Sequence, residues 1–221
     1  MGRALVLGVN GQDGSYLAQA LLKRSDHVVG VGRQANSRYV HEHRRFTYVA
    51  ADLTDERQVD ALLQTVAPVR IYHFAAVHGP TASGFTYEPV FADMLSVNVA
   101  ALHVALEYAR RCKPDARIFY AGSSKVFPGP LAGHIDESTC MQVSCLYSLG
   151  KLAARDLMRL YLQDHAIRAT NLILFNHDSP RRPPDYLLPH ACPDHCPRQD
   201  RPSPCPAGPH LGFLGRLERG R

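Results

Sequence analysis

Residues 1–175 predict an α/β fold, a doubly wound parallel sheet with helices on both faces, and three observations carry that expectation. Strand-like and helix-like stretches alternate along the span, the order that builds a parallel sheet. A glycine run, Gly8-Val-Asn-Gly11-Gln-Asp-Gly14, joins the first strand-like stretch to the first helix-like one. Tyr147-Ser-Leu-Gly-Lys151 opens a late helical stretch at a spacing that puts Tyr and Lys on one face.

The first strand, 3–8, is a short apolar run leading straight into Gly8. Leu17, Ala18, Leu21 and Leu22 then recur at helical spacing and give a helix near 14–24. Further strands are expected at 27–32, 46–51, 69–75, 116–121 and 168–175, with helices near 55–65, 91–112 and 147–164. The last helix carries an apolar stripe of Leu149, Leu152, Ala153, Leu157 and Leu160. His78 to Pro89 reads as a long loop after the fourth strand. Ligands bind beyond the carboxyl ends of such strands, so that loop is expected to rim a site.

A glycine run between strand and helix is the setting of a dinucleotide site, which makes the expected fold Rossmann-type. Glycines there allow a tight turn and close approach of a pyrophosphate, and the helix N-terminus aims free N–H groups at the phosphates. The spacing is G-x-x-G-x-x-G rather than G-x-G-x-x-G. Arg33 follows the second strand, with no Asp or Glu in the usual ribose-binding place. An acidic residue binds a 2′-hydroxyl and repels a 2′-phosphate, whereas Arg accommodates the phosphate, so NADP is expected over NAD. A solvated loop cation is the alternative for Arg33. Asp52, past the third strand, and Ala75-Ala76, past the fourth, fall on the same edge. A helix N-cap and close packing are their respective alternatives.

A free tyrosine has a pKa of about 10 and is a poor base at neutral pH. A lysine ammonium roughly 4 Å away, at an effective dielectric near 20, favours the phenolate by about 4 kcal/mol, or about three pK units. Tyr147 beside Lys151 is then able to take a hydroxyl proton as hydride leaves for a nicotinamide. A surface Tyr and a solvated Lys four apart are the bland alternative, which the glycine run makes much the poorer account.

At 221 residues the chain is long enough for one substantial domain. No apolar segment approaches the length needed to cross a bilayer, and no secretory pattern opens the chain, so a cytoplasmic protein without membrane contact is expected. The six cysteines show no disulfide framework. The +5 charge is diluted along the chain with no aromatic-interleaved basic patch, which argues against nucleic acid as a partner.

After Arg182 the character changes. Residues 183–221 carry nine of the sixteen prolines and lack any apolar period, so an irregular, disordered tail is expected. Cys192-Pro-Asp-His195-Cys196 falls short of the four well-placed ligands zinc needs, and no metal is expected. The tail's composition also suits GC-rich codons read in a wrong frame. A frameshift after about Arg182, replacing a longer C-terminal half, is the expectation.

These residues resemble the extended short-chain dehydrogenase/reductases that act on nucleotide sugars, and within them the GDP-mannose 4,6-dehydratase family. The resemblance rests on Gly8-Val-Asn-Gly-Gln-Asp-Gly-Ser-Tyr-Leu-Ala, on Ala51-Asp-Leu-Thr and Phe74-Ala-Ala, and on Tyr147-x-x-x-Lys151. Leu174-Phe-Asn-His-Asp-Ser-Pro-Arg-Arg182 is its most discriminating part, and the likeness stops at about residue 182. It implies that Gly8, Asn10, Gly11, Gln12, Asp13, Gly14, Arg33, Asp52, Leu53, Ala75, Ala76, His177 and Arg182 hold NADP, together with Tyr147 and Lys151. It also implies that Ser123 hydrogen-bonds the sugar hydroxyl being oxidised, a structural hydroxyl being the alternative. GDP-mannose is the implied substrate, and a homo-oligomer the implied assembly.

Two departures bear on the chemistry. The family places a Glu base two residues past the catalytic Thr/Ser, and here that place is Lys125. Neutralising a lysine at pH 7 means lowering a pKa near 10.4 by about three units, roughly 4–5 kcal/mol. Lys125 as an acid, a phosphate contact or a solvated side chain are the open readings. A 4-epimerase or 4-ketoreductase needs no such base and stays open as well. In this superfamily the C-terminal portion forms most of the sugar-nucleotide pocket, and the tail here matches none of it. A fragment that binds cofactor without catalysis is therefore a third reading.

Overall fold

A computed structural model describes residues 2–79, 84–127 and 133–182. Six strands form one sheet: β1 (Arg3–Leu7), β2 (His27–Gly32), β3 (Phe46–Ala50), β4 (Arg70–His73), β5 (Arg117–Ser123) and β6 (Arg168–Leu174). Their order is β3-β2-β1-β4-β5-β6, with every pair parallel. That is the doubly wound Rossmann order, in which the chain reverses its direction of travel between β1 and β4.

Ala4, Leu5, Val6 and Leu7 are all fully buried because β1 lies at the centre with helices on both faces. Strand alternation divides them. Leu5 and Leu7 join the larger core with Leu63, Ile71, Leu102, Leu106 and Ile118. Ala4 and Val6 join the smaller one with Ala18, Leu21 and Val28, under α1 (Gln12–Lys23). α2 (Glu56–Val66) starts at Asp55, whose carboxylate accepts the N–H groups of Arg57 and Gln58. This N-cap is Asp55, not Asp52.

The expected helix at 91–112 is α3 (Phe91–Leu95), a π turn over Ser96–Ala100, and α4 (Ala101–Cys112). With the 3₁₀ turn before it, the run Glu88–Cys112 is 25 residues long and, by length and composition, apolar enough to cross a membrane. This corrects the expectation that no segment approaches that length. Here Ala101, Leu102, Ala105, Leu106 and Ala109 lie fully buried in the sheet-covering layer. The remaining helix, α5 (Leu146–His165), carries both Tyr147 and Lys151. The irregular tail expected over 183–221, with its Cys192–Cys196 cluster, lies outside the described residues.

Two exposed helix ends generate a prediction. Ala67 (φ 47°) and Ala166 (φ 57°) close α2 and α5 in the left-handed conformation, which an L side chain resists. Ala67→Gly and Ala166→Gly are each expected to stabilise the protein by about 0.5–1 kcal/mol. The two gains should add, because the sites share no partner. Thermal unfolding of both single variants and the double variant reads this directly.

Candidate functional site

The glycine turn sits where the chain reverses direction. Gly8 leaves β1 with φ +87°, and a Cβ on it would come within 2.6 Å of the Ala75 backbone nitrogen. A Cβ on Gly14 would stand 2.3 Å from the Gly8 carbonyl oxygen. Both contacts are with backbone, so neither position admits a side chain without moving a strand or α1. Gly11 is the N-cap of α1 and supplies no side-chain cap, which leaves the first-turn N–H groups facing outward. An open crevice of about 230 Å³ lies beside this turn. Gly8, Asn10, Gly11, Arg33, Leu53, Ala75 and Ala76, all expected there from the sequence, line it. Gly32, Gln34, Ala51, Phe74, Val77 and Val97 line it as well and were not foreseen, although several directly follow strands. The glycine cradle, the uncapped helix end and Arg33 fit an anionic dinucleotide.

Asp52 is not among the lining residues. Its carboxylate accepts the Thr54 N–H at 3.0 Å, and that hydrogen bond holds it below the usual carboxylate range. Gln12 and Asp13 stand in the first turn of α1, where His177 reaches from beyond β6. His177 Nε2 lies 2.7 Å from Asp13 Oδ1, and Nδ1 lies 2.7 Å from the Phe175 carbonyl. Burial alone would raise the Asp13 carboxyl, but the hydrogen bond and charge of His177 outweigh it and hold it low. The Asp13 hydrogen bond raises His177 in turn. Arg182 donates to Asp178 and to the His177 carbonyl. Arg181, missed from the sequence, anchors this segment: it donates to Ser15 Oγ and Gln19 Oε1, each at 2.8 Å, and lies 3.9 Å over the Tyr16 ring.

Tyr147 and Lys151 stand at the other end. Lys151 Nζ is 5.4 Å from the centre of the Tyr147 ring. Lys151 is only 2 % exposed and donates to the Ala121 carbonyl at 2.8 Å and to Tyr120 Oη at 3.2 Å. Burial pulls it down to about 7, so its charge near neutrality is conditional. Tyr120 is fully buried, and burial, then Tyr147, push it well above the usual phenol range. His73 packs against Tyr120 and is held to about 4, first by burial and then by Lys151. His78, next to the crevice-lining Val77, packs at a tilt on Tyr147 with ring centres 4.8 Å apart, and Tyr87 stacks there at 5.5 Å. The Val77 N–H itself donates to Asn98 Oδ1, from a fully buried side chain in the π turn. Ser123 ends β5 and accepts the Lys125 N–H, while the Lys125 side chain is exposed. Lys125 thus lacks the burial that a neutral lysine base requires.

The sheet order, the glycine turn at its reversal point and the Tyr147/Lys151 helix define a short-chain dehydrogenase/reductase domain of the epimerase/dehydratase kind. A family model described as GDP-mannose 4,6 dehydratase matches residues 5–194, and the chain belongs to that family. The match runs past Arg182, where the sequence likeness was expected to stop. GDP-mannose 4,6-dehydratase from Vibrio cholerae is 30% identical over 191 residues, covering 81% of this chain and 51% of the relative. GDP-mannose 4,6 dehydratase 1 from Arabidopsis thaliana is 31% identical over 202 residues, covering 83% and 54%. The chain spans about half the length of these curated relatives. Among solved structures, UDP-glucose 4-epimerase from Thermus thermophilus, complexed with NAD, superposes with a TM-score of 0.71 at 22% identity, covering 82% of this chain and 58% of that one. UDP-glucuronic acid 4-epimerase from Bacillus cereus, also with NAD, gives 0.67 at 25% identity, covering 83% and 60%.

Lys151 generates a pH prediction. An unfolded lysine near 10.5 keeps its proton through the window above pH 7, whereas the folded one loses it above about 7. The unfolded state then binds more protons, so this group makes stability rise with pH between those values and penalises it fully below them. Lys151→Met is expected to raise the urea midpoint at pH 7 and to flatten the rise toward pH ~9.5. Urea titrations at the two pH values check it, and an equally steep rise in the variant contradicts it.

Proposed function

We propose that this chain is the cofactor-binding and hydride-transfer portion of an NADP-dependent nucleotide-sugar 4,6-dehydratase, acting on GDP-mannose. The observation that carries the reading is Tyr147 set against Lys151 and against His78, which directly follows Val77 on the wall of a crevice built on the glycine turn. Arg33 on the crevice wall, with no carboxylate lining it among the described residues, supports NADP over NAD. The bound nicotinamide would supply a hydride acceptor that later returns the hydride. Tyr147 takes the proton from the sugar's C4 hydroxyl, and Lys151, when protonated, favours the phenolate that makes this possible. Ser123, at the end of β5, orients the same hydroxyl. The first turn of α1 and Arg33 carry the phosphates.

Elimination across C5 and C6 also needs a base at C5, and the exposed Lys125 favours a second reading on this point. A 4-epimerase or 4-ketoreductase uses the same Tyr147, Lys151 and Ser123 without that base.

Thermal unfolding with NADP and with NAD tests the binding reading. Ligand at 100 times its Kd stabilises by about 2.7 kcal/mol, and NADP is expected to give the larger shift. Incubation with GDP-mannose then separates the reactions, with a 4-keto-6-deoxy sugar marking dehydration. Tyr147→Phe is expected to retain the NADP shift and to lose about 10²-fold or more of any hydride transfer. No shift with either nucleotide overturns the proposal.

A further inference from the structure

Four hydrogen-bonding contacts converge on one side chain of the glycine turn. Asn10 Nδ2, with two hydrogens to share among them, lies within hydrogen-bond reach of Gln34 Oε1 at 2.9 Å, the Asn36 carbonyl at 3.0 Å and Tyr48 Oη at 3.2 Å. Its Oδ1 accepts the Arg38 N–H at 2.8 Å. Tyr48 Oη donates onward to the Gln34 carbonyl at 2.7 Å. The loop from Gln34 to Arg38 is therefore folded around a residue that belongs to a different loop. Gly32 leaves room for this node, since a Cβ there would lie 2.8 Å from Tyr48 Oη and 3.2 Å from Asn10 Nδ2.

The residue type matters. Only an amide on a one-carbon stem offers two N–H donors and a carbonyl acceptor at this reach; Asp lacks the donors, and Ser or Thr offers one. Both polar atoms of Asn10 engage the protein, so its part is to position the loop rather than to hold a ligand. The loop begins directly after Arg33, and Arg33, Gln34 and Asn10 all line the crevice.

We infer that Asn10 sets the dinucleotide selectivity of this crevice, by fixing the Gln34–Arg38 loop so that Arg33 stands where the adenosine 2′-phosphate arrives. This rests on the reading that the crevice binds a dinucleotide. A loosened loop leaves the glycine turn and helix end to bind the pyrophosphate but scatters the cation that tells 2′-phosphate from 2′-hydroxyl. The effect therefore falls on one nucleotide and spares the other, which a general loss of stability does not do.

Isothermal titration of the full chain with NADP and with NAD tests this. Asn10→Ala is expected to weaken NADP about tenfold, equivalent to 1.4 kcal/mol, and to lower the NADP-to-NAD affinity ratio. Tyr48→Phe removes two bonds of the node from a strand position outside the crevice lining, and is expected to weaken NADP about threefold with NAD unchanged. It carries the test alone should Asn10→Ala not fold. Wild-type protein that prefers NADP, with the same NADP-to-NAD ratio in the folded variants, overturns the inference and leaves the dinucleotide reading intact. Wild-type protein that binds neither nucleotide removes both.

Discussion

The site depends on a backbone-to-backbone contact. α1 approaches the end of β1 so closely that Gly14 lies against the Gly8 carbonyl, and Gly8 in turn lies against the Ala75 backbone past β4. A single methyl at either glycine would have to displace a strand of the central sheet or the helix packed on it. Because the interior is packed at crystal-like density, the displacement would not be absorbed locally. The contact brings the uncapped end of α1, the end of β4 and the Asn10 side chain into one small region. The crevice, the strap from His177 to Arg182 and the loop after β2 are all arranged around it.

At the opposite end the governing tension is between burial and charge. Lys151 reaches its station beside Tyr147 by crossing into the protein, where the Ala121 carbonyl and Tyr120 hydroxyl accept its hydrogens. The same burial that places the ammonium weakens its hold on the proton. The simple picture of a permanent cation acidifying a phenol therefore needs amendment. The influence of Lys151 on Tyr147 varies across the physiological range, and buried Tyr120 and His73 form its immediate surroundings.

Much of this was readable in the sequence because it is written in local pattern. Apolar runs broken by Gly and polar clusters gave all six strands within a few residues of their bounds, and Tyr147 and Lys151 declared themselves by helical spacing. Gly8, Gly11 and Arg33 followed from their place after strands that were themselves legible. What stayed hidden depends on groups brought together from far apart. Tyr120 beneath Lys151, His78 on Tyr147 and Arg181 on Tyr16 are separated by 31, 69 and 165 positions, and no periodicity links them. Asp52 shows the same limit from the other side. It stands at the right edge of the sheet, yet its carboxylate turns to Thr54, a choice made by the local backbone. The break between Leu95 and Ala101 also left no trace in the apolar pattern, since a π turn perturbs hydrogen bonding rather than composition.

That wider turn has a consequence for how the chain tolerates length changes. In an ordinary helix each residue advances the side chains by about 100°. Deleting one residue between Ser96 and Ala100 would close the widened turn to regular winding with little net rotation of Phe91–Leu95 against Ala101–Cys112, because an i→i+5 turn holds about one residue more than the i→i+4 turn that would replace it. Met94, fully buried and set against Gly150, would keep facing α5, but the bulge that seats Asn98 against the Val77 amide would be gone. A one-residue shortening here would therefore act through a single buried amide beside the crevice-lining Val77, while the packing of the two flanking helices is kept.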